Sequence, residues 1–123
     1  MTAPLPRSHA PIFWALFGAG GMLSALLGPM LVLITGVLVP LGLLLPTDFM
    51  SYPRMLGFAR HWAGMAFVFV VITLFAWHAA HRIYHSLHDV GVHAGLGARL
   101  ACYGAALAVT LMTGGSLLAI AST

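Results

Sequence analysis

Residues 77–89, WHAAHRIYHSLHD, hold His78, His81, Arg82, His85, His88 and Asp89. They stand in a chain of 123 residues that has five Arg, no Lys, two acidic residues and seven His, so much of its titratable chemistry is gathered in one short stretch. At about 100° per residue on an α-helix, all six fall within an arc of roughly 120° and form one polar face. Ile83, Leu87 and Val90 lie largely outside that arc, which makes this helix end amphipathic.

Four kinds of environment suit such a stripe. It can be a solvated helix end at a membrane surface, with Arg82 and Asp89 offsetting each other's charge. It can bind zinc, since His78, His81 and His85 have the helical spacings of three, four and seven that share a face; no Cys or Glu accompanies them, however, and no second ligand cluster occurs in the chain. It can supply a haem with an axial nitrogen, for which His78 is the deepest candidate and His61 lies too far along the helix to share the same iron. It can also bind an amphipathic redox ligand such as a quinone. The carbonyl oxygens of a quinone need donors, its ring needs an apolar or aromatic slot, and its proton exchange needs groups that titrate near neutral pH.

A complementary set precedes it in FWALFGAGG, residues 13–21. Trp14, Phe17 and Gly18, spaced three and four apart, share one helical face and offer an indole donor, an aromatic wall and a position of close approach. Trp14 alone also fits an interfacial anchor. The small run GAGG at 18–21 suits either tight helix packing or the approach of a ligand.

The elements that position these residues follow from composition. The chain is 61% hydrophobic and 6% charged, with a mean hydropathy of +1.01, whereas about a quarter of the residues in a soluble domain are charged. A membrane span takes on the order of 20 apolar residues, so the length accommodates three spans with short connections and leaves no room for a water-soluble catalytic domain. The net charge of +3 comes from Arg residues spread singly along the chain, which form no basic patch for nucleic acid. Cys102, the single cysteine, lies in an apolar run and reads as a packing residue. The apolar stretch from Pro11 to Leu45 far exceeds the roughly 7–15 residues of a secretory signal core, which predicts a retained span.

The expected fold is an all-α membrane protein, a single membrane domain with transmembrane helices over about residues 12–39, 60–89 and 97–120. Residues 1–10 read as a polar leader, and Pro29 and Pro40 are expected to bend or end the first helix. Residues 47–61 read as a loop or surface-lying piece, and Gly91, Gly95 and Gly97 as the second turn. A hairpin of the first two spans puts Trp14 and the histidine stripe on the same side of the membrane. With a cytoplasmic amino terminus, Arg7, Arg82 and Arg99 lie inside against Arg54 and Arg60 outside, in the direction of the positive-inside rule.

The run PIFWALFGAGGMLSALLGPMLVLITGVLVPLGLLLP, the SY at 51–52 and the block HRIYHSLHDVGVH at 81–93 resemble the D subunit, a membrane anchor, of bacterial quinol:fumarate reductases, over about residues 11–93 and more weakly in the third span. The resemblance implies a three-helix subunit with no catalytic centre of its own, amino terminus cytoplasmic and carboxy terminus periplasmic. With a second membrane anchor, the C subunit, it would attach a flavoprotein subunit and an iron–sulfur subunit to the bacterial inner membrane. It further implies a menaquinone site shared with other subunits and no haem in this chain. Trp14, Phe17 and Gly18 match the family's FWxLFGAGG block, and His81, Arg82 and His85 its HRxxHxxHD block, which carries proximity to the quinone onto these six positions. Tyr84 stands where some relatives are expected to have His, and His78 falls on no position to which the resemblance gives a role. Two readings of other classes compete with this one: a haem b-binding anchor of a succinate dehydrogenase, with His78 or His81 as axial ligand, and a free-standing small helix bundle.

Overall fold

The computed structural model describes residues 10–92 and 95–123; the polar leader with Arg7, and His93 of the second block, lie outside the described residues. Four α-helices follow in order: α1 (Ala10–Leu33), α2 (Tyr52–Arg60), α3 (Trp62–Asp89) and α4 (Leu96–Ser122), with a π-helical segment, Ile34–Leu38, closing the first. Among the described residues, three stretches are long and apolar enough to cross a membrane: Phe17–Leu38, Trp62–Asp89 and Leu96–Ser122. At 1.5 Å per residue they extend roughly 33–42 Å, and a hydrocarbon core is about 30 Å thick. The longer two therefore tilt or carry their ends into the headgroup region.

The outward faces of these helices are greasy, with Trp14, Met22, Leu26, Val32, Leu96, Leu111, Met112 and Leu118 all exposed. In water such continuous apolar surface would drive aggregation; in a bilayer it meets hydrocarbon, and the helices satisfy their backbone groups internally. Among the described residues the buried apolar side chains are few, Leu27, Val39, Ala80, Ala106 and Leu117, and the last three line the seam between the second and third spans.

The first span ends just before Pro40, as expected, and runs through Pro29 without ending there. Pro29 sits inside α1, and the α-helix continues to Leu33. It then widens into the π-helical segment, where the Val39 amide donates to the Ile34 carbonyl at 3.0 Å. Pro40, which has no N–H to continue the ladder, follows directly. The chain then turns with left-handed backbone at Gly42 (φ 63°) and Leu44 (φ 64°).

The second span begins later than predicted. Residue 60 belongs to the short helix α2, and residues 52–60, expected to be loop or surface-lying, form that helix. His61 adopts extended backbone (φ −75°, ψ 135°), which separates α2 from α3. Its Nδ1 accepts the amide of Ala63 at 3.3 Å, so the side chain caps the helix that its backbone begins. The other end of α3 matches the sequence reading. Gly91 is left-handed (φ 80°), its amide donates to the His88 carbonyl at 3.0 Å, and the Val92 amide reaches back to Leu87 at 3.0 Å. This is a Schellman stop, and glycine takes the left-handed position without steric cost.

α3 is the central element and packs against both α1 and α4. On the α1 side, a Cβ built on Gly20 would lie 2.8 Å from the Leu74 carbonyl oxygen and 3.0 Å from His78 Cβ, and one on Gly21 would lie 2.9 Å from His78 Cε1. These glycines allow the close helix approach that small residues provide in membranes. On the α4 side, the Trp77 indole donates to Thr110 Oγ1 at 3.1 Å. Interhelical hydrogen bonds of this kind average only about 0.6 kcal/mol in membrane proteins, so close packing along Ala80 and Ala106 holds the seam more than the bond does. At the far end Arg60 donates to the Ile120 carbonyl (3.3 Å) and to Thr123 Oγ1 (3.1 Å), which joins α2 to the end of α4.

Candidate functional site at the histidine end of the bundle

The antiparallel run of α1, α3 and α4 brings the start of α1, the end of α3 and the start of α4 to one end of the bundle. There His81 of α3 touches both neighbours. Its ring lies 4.4 Å from that of Phe17 on α1, tilted by 49°, and its Nδ1 is 2.8 Å from the hydroxyl of Tyr103 on α4. His85 follows one turn on, its ring 4.2 Å from that of His81 and tilted by 52°. Tyr84 closes the outer side, 5.5 Å from His85, 5.3 Å from His88 and 5.8 Å from Tyr103 between ring centroids. The cluster is half-buried at His81, Tyr84 and Tyr103, and opens to the surroundings at His85 and His88.

Of the six residues singled out from sequence, three meet in space: Phe17, His81 and His85. Arg82 is exposed on the same helix and, among the described residues, has no ion-pair partner; the one salt bridge joins Arg54 to Asp48 at 2.8 Å in the opposite connection. The charge pairing of Arg82 with Asp89 that a solvated helix end would favour is thus not formed. Trp14 sits one turn before Phe17 and is 76% exposed, so its indole faces the surroundings of the bundle and not the histidines. Gly18 is open, with nothing within 4 Å of where a Cβ would stand. The small run therefore divides: Gly20 and Gly21 serve helix packing, and Gly18 leaves a clear surface beside Phe17.

His78, which the sequence left without a role, has a structural one. Its ring stacks on Phe17 with centroids 4.8 Å and planes 16° apart. Its Nδ1 lies 3.3 Å from the Phe17 carbonyl; a carbonyl only accepts, so Nδ1 carries the proton. Among the described residues no three His, Cys, Asp or Glu side chains are arranged to hold a metal ion.

Tyr103 is the residue that sequence reasoning missed. The available signal is its spacing of four from Arg99, which sets two polar side chains on one face at the start of an otherwise apolar helix.

Two grooves run along the α3/α4 seam, each of about 410 Å³. One is lined by Val68, Ile72, Val109, Met112 and Leu117 among others, the other mostly by alanines and Cys102. Both are apolar and apart from the histidine cluster. Cys102 is a free, half-buried thiol that packs there, as its apolar surroundings suggested.

Three apolar helices long enough to cross a bilayer, with a histidine–tyrosine cluster at one end, define a small multi-pass membrane protein. Its relatives narrow the class. The family model for the D subunit of fumarate reductase matches residues 5–118. The fumarate reductase D subunit of Photobacterium profundum is 42% identical over 106 residues, which cover 86% of this chain and 88% of that one. Those of Aliivibrio fischeri and Vibrio campbellii are 43% and 45% identical, over 87% and 83% of this chain and 88% and 80% of theirs. The chain belongs to the fumarate reductase D-subunit family.

Proposed function

We propose that the chain is a non-catalytic anchor of a quinol:fumarate reductase, and that the Phe17–His81–His85 cluster forms one wall of its menaquinone site. In this reading it assembles with the second membrane anchor and holds the flavoprotein and iron–sulfur subunits on the cytoplasmic face of the inner membrane. The amino terminus and the histidine end lie inside, the carboxy terminus in the periplasm. Menaquinol bound there supplies two electrons and two protons to the reduction of fumarate to succinate.

The observation that carries the reading is the meeting of an aromatic ring, two imidazoles and a half-buried phenol at the one end of the bundle that also presents Arg82. Phe17 offers an apolar face for a ring, and the imidazoles offer donors for its oxygens. Arg82 is costly to leave in lipid, so it belongs at the headgroups, in a water-filled cavity or against another subunit. There its positive charge biases a head group on which negative charge develops. Trp14 and Gly18 extend the wall outward along α1. The site is half a pocket, and the iron–sulfur subunit and the second membrane anchor supply the remaining walls.

Replacing Arg82 with Leu in the assembled complex tests this. Menaquinol-dependent fumarate reduction should fall while fumarate reduction by a soluble artificial donor is retained; equal retention of both activities would remove Arg82 from the site.

A further inference from the structure

Resting on that reading, we infer that Tyr103 is a positioning residue for the quinone site: its hydroxyl holds His81 in the tautomer that presents an Nε2–H donor. The 2.8 Å contact is made at Nδ1. A neutral phenol is the natural donor to a neutral imidazole, so Nδ1 accepts and the ring proton resides on Nε2. The ring has little freedom to abandon this arrangement. Phe17 lies on one side at 4.4 Å and His85 at 4.2 Å. Tyr103 is itself held between Trp77 at 6.1 Å and Tyr84 at 5.8 Å, and Trp77 is fixed by its bond to Thr110.

The chemical consequence concerns the division of labour. The ring oxygens of a quinone and of a quinol both carry lone pairs, so an Nε2–H donor grips the head group in either redox state. With its other nitrogen already engaged as an acceptor, His81 is a fixed donor and not the base that takes the quinol proton. His78 is set the opposite way, Nδ1–H toward the Phe17 carbonyl, and so belongs to the α1 contact. Two histidines three residues apart thus have opposite tautomers because their partners differ, a phenol for one and a carbonyl for the other.

The test is a double-mutant cycle on the purified complex, read as the equilibrium dissociation constant of a fluorescent naphthoquinol analogue whose emission is quenched on binding. Tyr103→Phe keeps the ring that packs between Trp77 and Tyr84 and removes only the hydroxyl. It should weaken binding about three- to tenfold, the scale of one net hydrogen bond. His81→Gln should weaken binding as well, and Tyr103→Phe added to His81→Gln should have no further effect, because Tyr103 acts only through His81. Unchanged binding in Tyr103→Phe, or the same loss in both backgrounds, would overturn the inference while leaving the quinone wall in place. Wild-type binding in His81→Gln would remove the wall itself, and the inference with it.

Discussion

His78 lies flat against Phe17 and donates from Nδ1 to the carbonyl of that same residue at 3.3 Å, so one imidazole joins α3 to both the side chain and the backbone of α1. The geometry assigns His78 to assembly of the helix pair, although it belongs by sequence to the same stripe as His81 and His85.

The first prediction separates these roles. His78→Phe retains a ring for stacking and loses the donor, at a cost of about 0.5–1.5 kcal/mol. The thermal unfolding midpoint of the complex should fall slightly, with the KM for menadiol close to wild type. A KM change as large as that of His81→Gln would move His78 into the site.

A second contrast lies within GAGG. A side chain on Gly20 meets the Leu74 carbonyl oxygen at 2.8 Å, and backbone cannot yield as the tip of a side chain can. Gly20→Val should separate α1 from α3 at an overpacking cost of about 1–3 kcal/mol, seen as loss of the three-span chain from the purified complex. Gly18→Val meets open space. It should preserve assembly and raise the KM for menadiol, since the added bulk stands beside Phe17 on the wall proposed for the quinone site.

At the opposite end, Arg60→Ala removes the bonds to Ile120 and Thr123. Both are exposed and so contribute little to global stability. The expected effect is local: faster amide exchange in the last turn of α4, with unchanged exchange around Tyr103.

Orientation is checked by labelling. In a background with Cys102 replaced by Ala, a cysteine at Ser86 should react with a membrane-impermeant maleimide only from the cytoplasmic side, and one at Thr123 only from the periplasmic side. The reverse pattern would invert the arrangement proposed for the complex.

Much of this architecture was legible in the sequence because the bilayer imposes a coarse code. Long uncharged runs become helices, Gly91 gives a stop of one kind, and the third span is found within two residues of its expected limits. The break at His61 was hidden because it depends on one residue's extended backbone and carries no Pro or Gly to announce it. Pro40 marks the end of the first span as its missing donor predicts, whereas Pro29 does not end it: α1 runs on to Leu33 and then widens into the π-helical segment. The stripe itself was readable from the 100° rotation per residue. Which member does what was not, because Tyr103, 22 residues from His81, is brought to it by the α3/α4 turn. Local periodicity carries no information about a partner on another helix.

The central claim, that the histidine end of the bundle is one wall of the quinone site, is tested most directly by photolabelling the purified complex with an azido-naphthoquinone and mapping the modified peptides. The account predicts label on the start of α1 around Phe17 and on the end of α3 between His81 and His85, displaced by excess menaquinone. Displaceable label confined to the apolar α3/α4 grooves around Val68 and Met112, or absent from this chain, would contradict it.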